Sequence, residues 1–127
     1  MRRKIWILII CVAIVLAMEY SLSAYTTRVI TGYAERVQGI EQYIVDGDWR
    51  TASDSLAAIR QDWEKTRAML EIWISHDEAE QAAEDMRSLT IYLSVESSED
   101  SLEAIEALRG GLEHIYHKYK LSAANLL

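Results

Sequence analysis

The sequence predicts an all-α protein: an N-terminal transmembrane or signal helix followed by an antiparallel bundle of about four helices. Three observations carry this reading. Arg2-Arg3-Lys4 precede an unbroken apolar run from Ile5 to Met18. Beyond that run, apolar residues recur in 3-4 steps along four successive stretches, the period of one helix face. The 127 residues include no Pro to interrupt a long helix, and no segment reads as a strand.

Three cations before a hydrophobic stretch form an export or anchoring signal. The strict run of 14 residues rises about 21 Å as a helix, short of the roughly 30 Å hydrocarbon core. Extending it to Tyr25 gives about 20 residues, enough to span, with Glu19 near the far interface. Tyr20 and Tyr25 suit one interfacial aromatic belt and Trp6 the other. Ser21-Leu22-Ser23 offers small residues to a signal peptidase, but no Pro or Gly breaks the helix before it, and a retained anchor is the preferred reading. Cys11 lacks the small residues before it that a lipid-modified cysteine needs, so it reads as an inert thiol within the membrane. The positive-inside rule keeps Arg2, Arg3 and Lys4 in the cytoplasm and sends the remainder across a single pass.

Residues 1–25 are therefore expected to form the anchor or signal, and residues 26–127 an extracytoplasmic helical domain. Ile30, Tyr33, Val37, Ile40 and Ile44 make the first stripe, on a helix that can continue directly from the span. Gly32 and Gly39, seven apart, are expected to admit a close neighbour. Asp46-Gly47-Asp48 supplies a left-handed C-cap and then an N-cap. Trp49, Ala52, Leu56, Ile59, Trp63, Thr66, Leu70 and Trp73 give the second stripe, with Arg50, Asp54, Arg60, Asp62, Glu64, Lys65 and Arg67 on a solvated outer face. Ser75-x-x-Glu78 reads as a capping box and sets a break near Ser75 and His76. Ala79, Ala82, Met86, Leu89 and Leu93 form the third stripe. Ser97 or Ser98 caps the fourth helix, whose stripe is Leu102, Ile105, Leu108, Leu112, Ile115 and Tyr119. Gly110-Gly111 is expected to interrupt that helix, and the 121–127 tail to dock on the bundle. Short joints between such helices make an antiparallel bundle the default.

Several of these residues have a known counterpart. Asp48-Trp49, Trp63-Glu64-Lys65-Thr66, Trp73-x-x-His76-x-x-x-Glu80 and the ending Lys120-Leu121-Ser122-x-x-Asn125-Leu126 follow one another in order. In this the chain resembles the bacterial domain-of-unknown-function family four-three-six-three, small membrane-anchored helical proteins. The resemblance covers nearly the whole chain. Where the family favours Asp-His and a later Asp, this chain has Ser75-His76 and Glu80. The charge at Glu80 is kept and the acid before His76 is lost. The family carries no established activity, so the resemblance implies placement and architecture rather than chemistry.

Composition narrows function. Half of the residues are apolar and 26% charged, as in a globular domain. The net charge of -7 argues against a nucleic-acid partner, which needs clustered Lys and Arg. Nineteen of the 20 acids and ten of the 13 bases lie beyond Ala24, so the exported part carries about −9. One Cys excludes a disulfide framework within the chain and a Cys-rich zinc site. No phosphate loop, dinucleotide fingerprint or Gly-flanked Ser elbow is present, and no enzyme activity or cofactor is expected.

Two constellations remain. His76 and Glu80 are i,i+4, and His114 and His117 are i,i+3, so these four are the candidate metal ligands. A structural His76, bonded to backbone or Glu80 at a helix junction, is the preferred reading, so no metal is expected. Trp49, Trp63 and Trp73 form a candidate apolar face for a lipid tail or peptide, weighed against ordinary core. The acid run Glu78, Glu80, Glu84 and Asp85 reads as a solvated face or a docking site for a basic partner. The expected function is a non-enzymatic interaction or scaffolding module of the bacterial cell envelope. It meets the membrane through its N-terminal helix and an envelope protein or a second copy through its bundle. The alternative is a small ligand-, lipid- or metal-binding sensor.

Overall fold

A computed structural model describes the backbone of residues 1–126 and side chains through Lys120. Four helices follow in order: α1 (Arg2–Val45), α2 (Trp49–Leu70), α3 (His76–Ser94) and α4 (Ser98–Leu126). α1 packs on α2 and α4, and α3 packs on the same two, which makes a closed ring of antiparallel neighbours with α1 and α3 on a diagonal. The expected docking of the 121–127 tail lies outside the described residues.

The 44 residues of α1 make a rod about 66 Å long. Every side chain from Met1 to Ser21 is exposed, including Trp6, Leu8, Ile10, Val12, Ile14 and Leu16. Burial starts at Ser23 and proceeds through Thr26, Ile30, Tyr33, Val37, Ile40 and Ile44, again in 3-4 steps. One helix thus carries two surfaces, apolar all round at first and one-sided later. The first part is long and apolar enough to cross a membrane or to serve as a signal, and none of it is buried against the bundle. The helix runs unbroken through residue 25, because no Gly or Pro precedes Gly32.

The core is built from the predicted stripes. Ile40, Leu56, Ile59, Trp63, Met86, Leu89, Leu93, Ile105, Leu108 and Leu112 are among the side chains buried almost completely. Several local expectations are corrected. α2 stops at Leu70 rather than running through Trp73; the amides of Trp73 and Ile74 bond back to the Leu70 carbonyl at 3.0 and 2.9 Å, and Ile74 turns into the core. Arg67 is buried rather than on the outer face of α2. Gly32 and Gly39 admit no close neighbour, since a Cβ on either would meet nothing within 4 Å. α4 continues through Gly110-Gly111 without interruption. Ser75 does occupy the N-cap of α3, but its hydroxyl makes no capping bond, and Glu78 is held by Lys118 Nζ at 2.7 Å instead.

The α1–α2 and α3–α4 joints, at the end of the bundle away from the apolar segment, use the same device. Gly47 (φ 74°) closes α1, with its amide on the Ile44 carbonyl at 3.0 Å and that of Asp48 on Tyr43 at 2.8 Å. Asp48 then accepts from the Thr51 amide at 3.3 Å, as an N-cap should. At the other joint the left-handed position is held by Glu96 (φ 56°), with amide bonds from Glu96 to Leu93 and from Ser97 to Tyr92. A side chain there strains the backbone, and Gly relieves that strain at some cost in chain entropy. Glu96→Gly is therefore expected to stabilise the full chain in detergent by about 0.5–1 kcal/mol, and Gly47→Ala to destabilise it by about 1 kcal/mol. Thermal melts check both, and a lowered midpoint for Glu96→Gly contradicts the cap.

Candidate functional site

Polar chemistry concentrates at the opposite end, where the last turn of α2, the 71–75 connection and the first turns of α3 meet the middle of α1. Trp63 lies under this end, wholly buried, and its indole N–H donates to the Ala79 carbonyl at 3.2 Å. The ring of Tyr33 meets it edge-on at 5.1 Å, and the Tyr33 hydroxyl shares a 2.6 Å hydrogen bond with Thr66 Oγ1. Burial pushes the Tyr33 hydroxyl pKa up, so it stays protonated.

One turn on, Arg67 is the hub of a charged network. Its Nε and Nη2 donate to Glu71 Oε1 at 3.0 and 2.8 Å, and Nη1 donates to Glu80 Oε2 at 2.8 Å. Arg87 Nη2 takes the other Glu80 oxygen at 2.9 Å. Burial alone would lower the Arg67 pKa, but the bonds to Glu71 and Glu80 outweigh it and leave it raised. Arg67 depresses the Glu71 carboxyl, and Arg87 with Arg67 depresses that of Glu80. His76 Nδ1 lies 3.1 Å from Glu71 Oε1, so the histidine's partner is Glu71 rather than the expected Glu80.

The connection itself is pinned to α1 and α4. The Trp73 indole N–H donates to Thr26 Oγ1 at 2.6 Å, and Tyr119 donates to the Trp73 carbonyl at 3.2 Å. Tyr25 stands edge-on to Trp73 with 6.2 Å between centroids. Donation to the Glu78 carboxylate raises the Lys118 pKa.

The predicted candidates do not converge. His114 and His117 are exposed on α4, with the His117 ring against Tyr116 at 5.3 Å. Among the described residues, no three His, Cys, Asp or Glu side chains are grouped as metal ligands. The three indoles all pack on the core rather than lining an open groove, and Trp73 lies beyond the end of α2. Trp63 is core, while Trp49 and Trp73 are half-buried near opposite ends of α2, about 30 Å or more apart along its axis. The acid run is largely paired internally, with Glu80 on Arg67 and Arg87, Glu78 on Lys118, and Asp85 accepting from Gln81. Two open surface clefts of about 270 and 350 Å³ lie between α2 and α3 beside Arg60 and Met86, and between α1 and α4 beside Ala34 and Tyr116.

Sequence reasoning missed Arg67, Thr26 and Tyr25 as members of this site. The i,i+4 pair Arg67–Glu71 was a local signal. The partners of Thr26 and Tyr25 lie more than 40 residues away, at Trp73 and Met69, and no local signal marks them. A family model described as a domain of unknown function, DUF4363, matches residues 20–126. That match covers the whole bundle and begins where the exposed apolar run ends. No curated protein and no solved structure matches the chain.

Proposed function

The chain belongs to the DUF4363 family, and we propose that it is a non-enzymatic interaction module anchored by one span in a bacterial cytoplasmic membrane, with its bundle outside the cytoplasm. The observation that carries this reading is α1, a single helix that leaves a free apolar segment and enters the bundle without a joint. Such a rod holds the bundle at a fixed height with no flexible tether. Arg2, Arg3 and Lys4 support the orientation. Contact as the mode of action is supported by the surface: Glu99, Glu103, Glu106 and Glu113 stand exposed along α4. That row suits a basic partner in the envelope.

One single-cysteine variant tests placement and contact together. In cells producing Glu103→Cys in a Cys11→Ser background, a membrane-impermeant maleimide is expected to label position 103 from outside. An impermeant bifunctional crosslinker at the same thiol is expected to give a discrete protein adduct, lost when Glu99 and Glu106 are reversed to Lys. Labelling only after lysis overturns the placement, and labelling without an adduct overturns the contact.

A further inference from the structure

The core leaves an apolar tip unused at the end of the bundle nearest the apolar segment. Ile72, at the apex of the 71–75 connection, is 79% exposed, and Met69 beside it is 52% exposed. Neither fills a cavity, and both sit next to the aromatic pair Tyr25 and Trp73. We infer that this connection is a second membrane contact: Ile72 and Met69 seat in the headgroup layer of the same bilayer that α1 crosses, with Tyr25 and Trp73 as interfacial aromatics. The inference rests on the span proposed above.

The height of the tip follows from α1. Because the helix is unbroken, each residue adds about 1.5 Å. With the span ending at Tyr25, Tyr25 and Thr26 stand within about 2 Å of the hydrocarbon edge, at the base of a headgroup layer about 5–7 Å deep. The connection is tied to that level by three contacts: Trp73 Nε1 to Thr26 Oγ1 at 2.6 Å, the Tyr25–Trp73 ring pair, and the Tyr25 hydroxyl donating to Met69 Sδ at 3.6 Å. Trp and Tyr favour this depth because one end of each ring system is apolar and the other donates a hydrogen bond. Arg28, exposed about one turn higher on α1, adds a cation near the phosphates. The other exposed apolar residues of the joints, Val45 and Val95, belong to the far end, about 30 Å further from the membrane. A span plus a tip roughly one helix diameter away, about 10 Å, fixes the tilt of the bundle as a span alone does not.

The test uses the full chain, in a Cys11→Ser background, reconstituted in vesicles of phosphatidylcholine and phosphatidylglycerol that carry a nitroxide-labelled lipid, shallow in one set and deep in the acyl region in the other. Single cysteines replace Ile72, Val95 and Val12 in turn, each labelled with bimane. All three side chains are exposed, so the fold tolerates them. Quenching is expected at 72 by the shallow label and at 12 by the deep one, each several-fold stronger than at 95. If 12 is quenched and 72 is no more quenched than 95, the tip stands in water and the inference is wrong while the anchor stands. If 12 is unquenched as well, the span itself is wrong and the tip falls with it.

Discussion

Trp63→Ala is expected to destabilise the bundle by about 3–5 kcal/mol, the largest effect of any single truncation considered. Trp63 has no exposed surface and lies among α1, α2 and α3: Tyr33 meets its ring edge and the Ala79 carbonyl accepts its N–H. Truncation removes the largest side chain of the core and leaves a cavity that three helices cannot all close. The lost hydrogen bond matters less, because Ala79 lies within α3 and its carbonyl keeps a helical partner. Trp63→Phe should thus recover most of the loss, at a remaining cost of about 1–2 kcal/mol. Thermal melts of the full chain in detergent should show the alanine variant down by about 10–20 °C. A shift of a degree or two would mean that Trp63 faces solvent and that the α2–α3 packing described here is wrong.

The same helix shows how far the sequence can be read. In α1 and α3 the predicted stripes coincide with the buried residues: Ile30, Tyr33, Val37, Ile40 and Ile44, then Ala79, Ala82, Met86, Leu89 and Leu93. A helix packed on two neighbours must bury one face, and the period of 3.6 marks it without knowledge of the partner. In α2 the period also fits through Ile59 and Trp63, then meets a choice. Thr66 and Arg67 flank the same direction, three and four residues on. Local chemistry puts the cation outside. The structure buries Arg67 because Glu80, thirteen residues later on α3, supplies a carboxylate there, and no local pattern announces that pairing. Trp73 misleads for the opposite reason. The 3-4 spacing continues through it, but the helix has already ended at Leu70, and the tight 71–74 connection carries the indole to Thr26 instead. The end of a helix is set by what the next residues can reach, here a pocket for Ile74 and a hydroxyl on α1.

Arg67→Met is the second large effect, because it removes the charged head while keeping much of the apolar stem. Replacing only one partner of a buried ion pair is normally severe, since an uncompensated charge remains in a dry site. Here the carboxylates of Glu71 and Glu80 keep contact with water, 25% and 38% exposed, and can rehydrate. The expected loss at neutral pH is therefore moderated to about 2 kcal/mol, the scale of charge-assisted hydrogen bonds made by a buried donor. Arg67→Lys is not expected to rescue it. The guanidinium reaches Glu71 with two nitrogens and Glu80 with the third, and a single ammonium cannot span both. Acid provides the discriminating readout. Arg67 holds the Glu71 carboxyl below its ordinary pKa, and Arg87 with Arg67 does so for Glu80. Near the ordinary carboxylate pKa, about 4.3, the unfolded chain binds more protons than the native one, so stability rises with pH there. That contribution is complete above the ordinary value and is lost as pH falls through the lower native values. Without Arg67, Glu71 keeps only the His76 part of its depression and Glu80 only the Arg87 part. The midpoints of parent and Arg67→Met should therefore be well separated at pH 7 and closer at an acid pH below the ordinary carboxylate range. A separation that stays the same at both pH values would assign the loss to packing of the arginine stem and remove the ion network from the account.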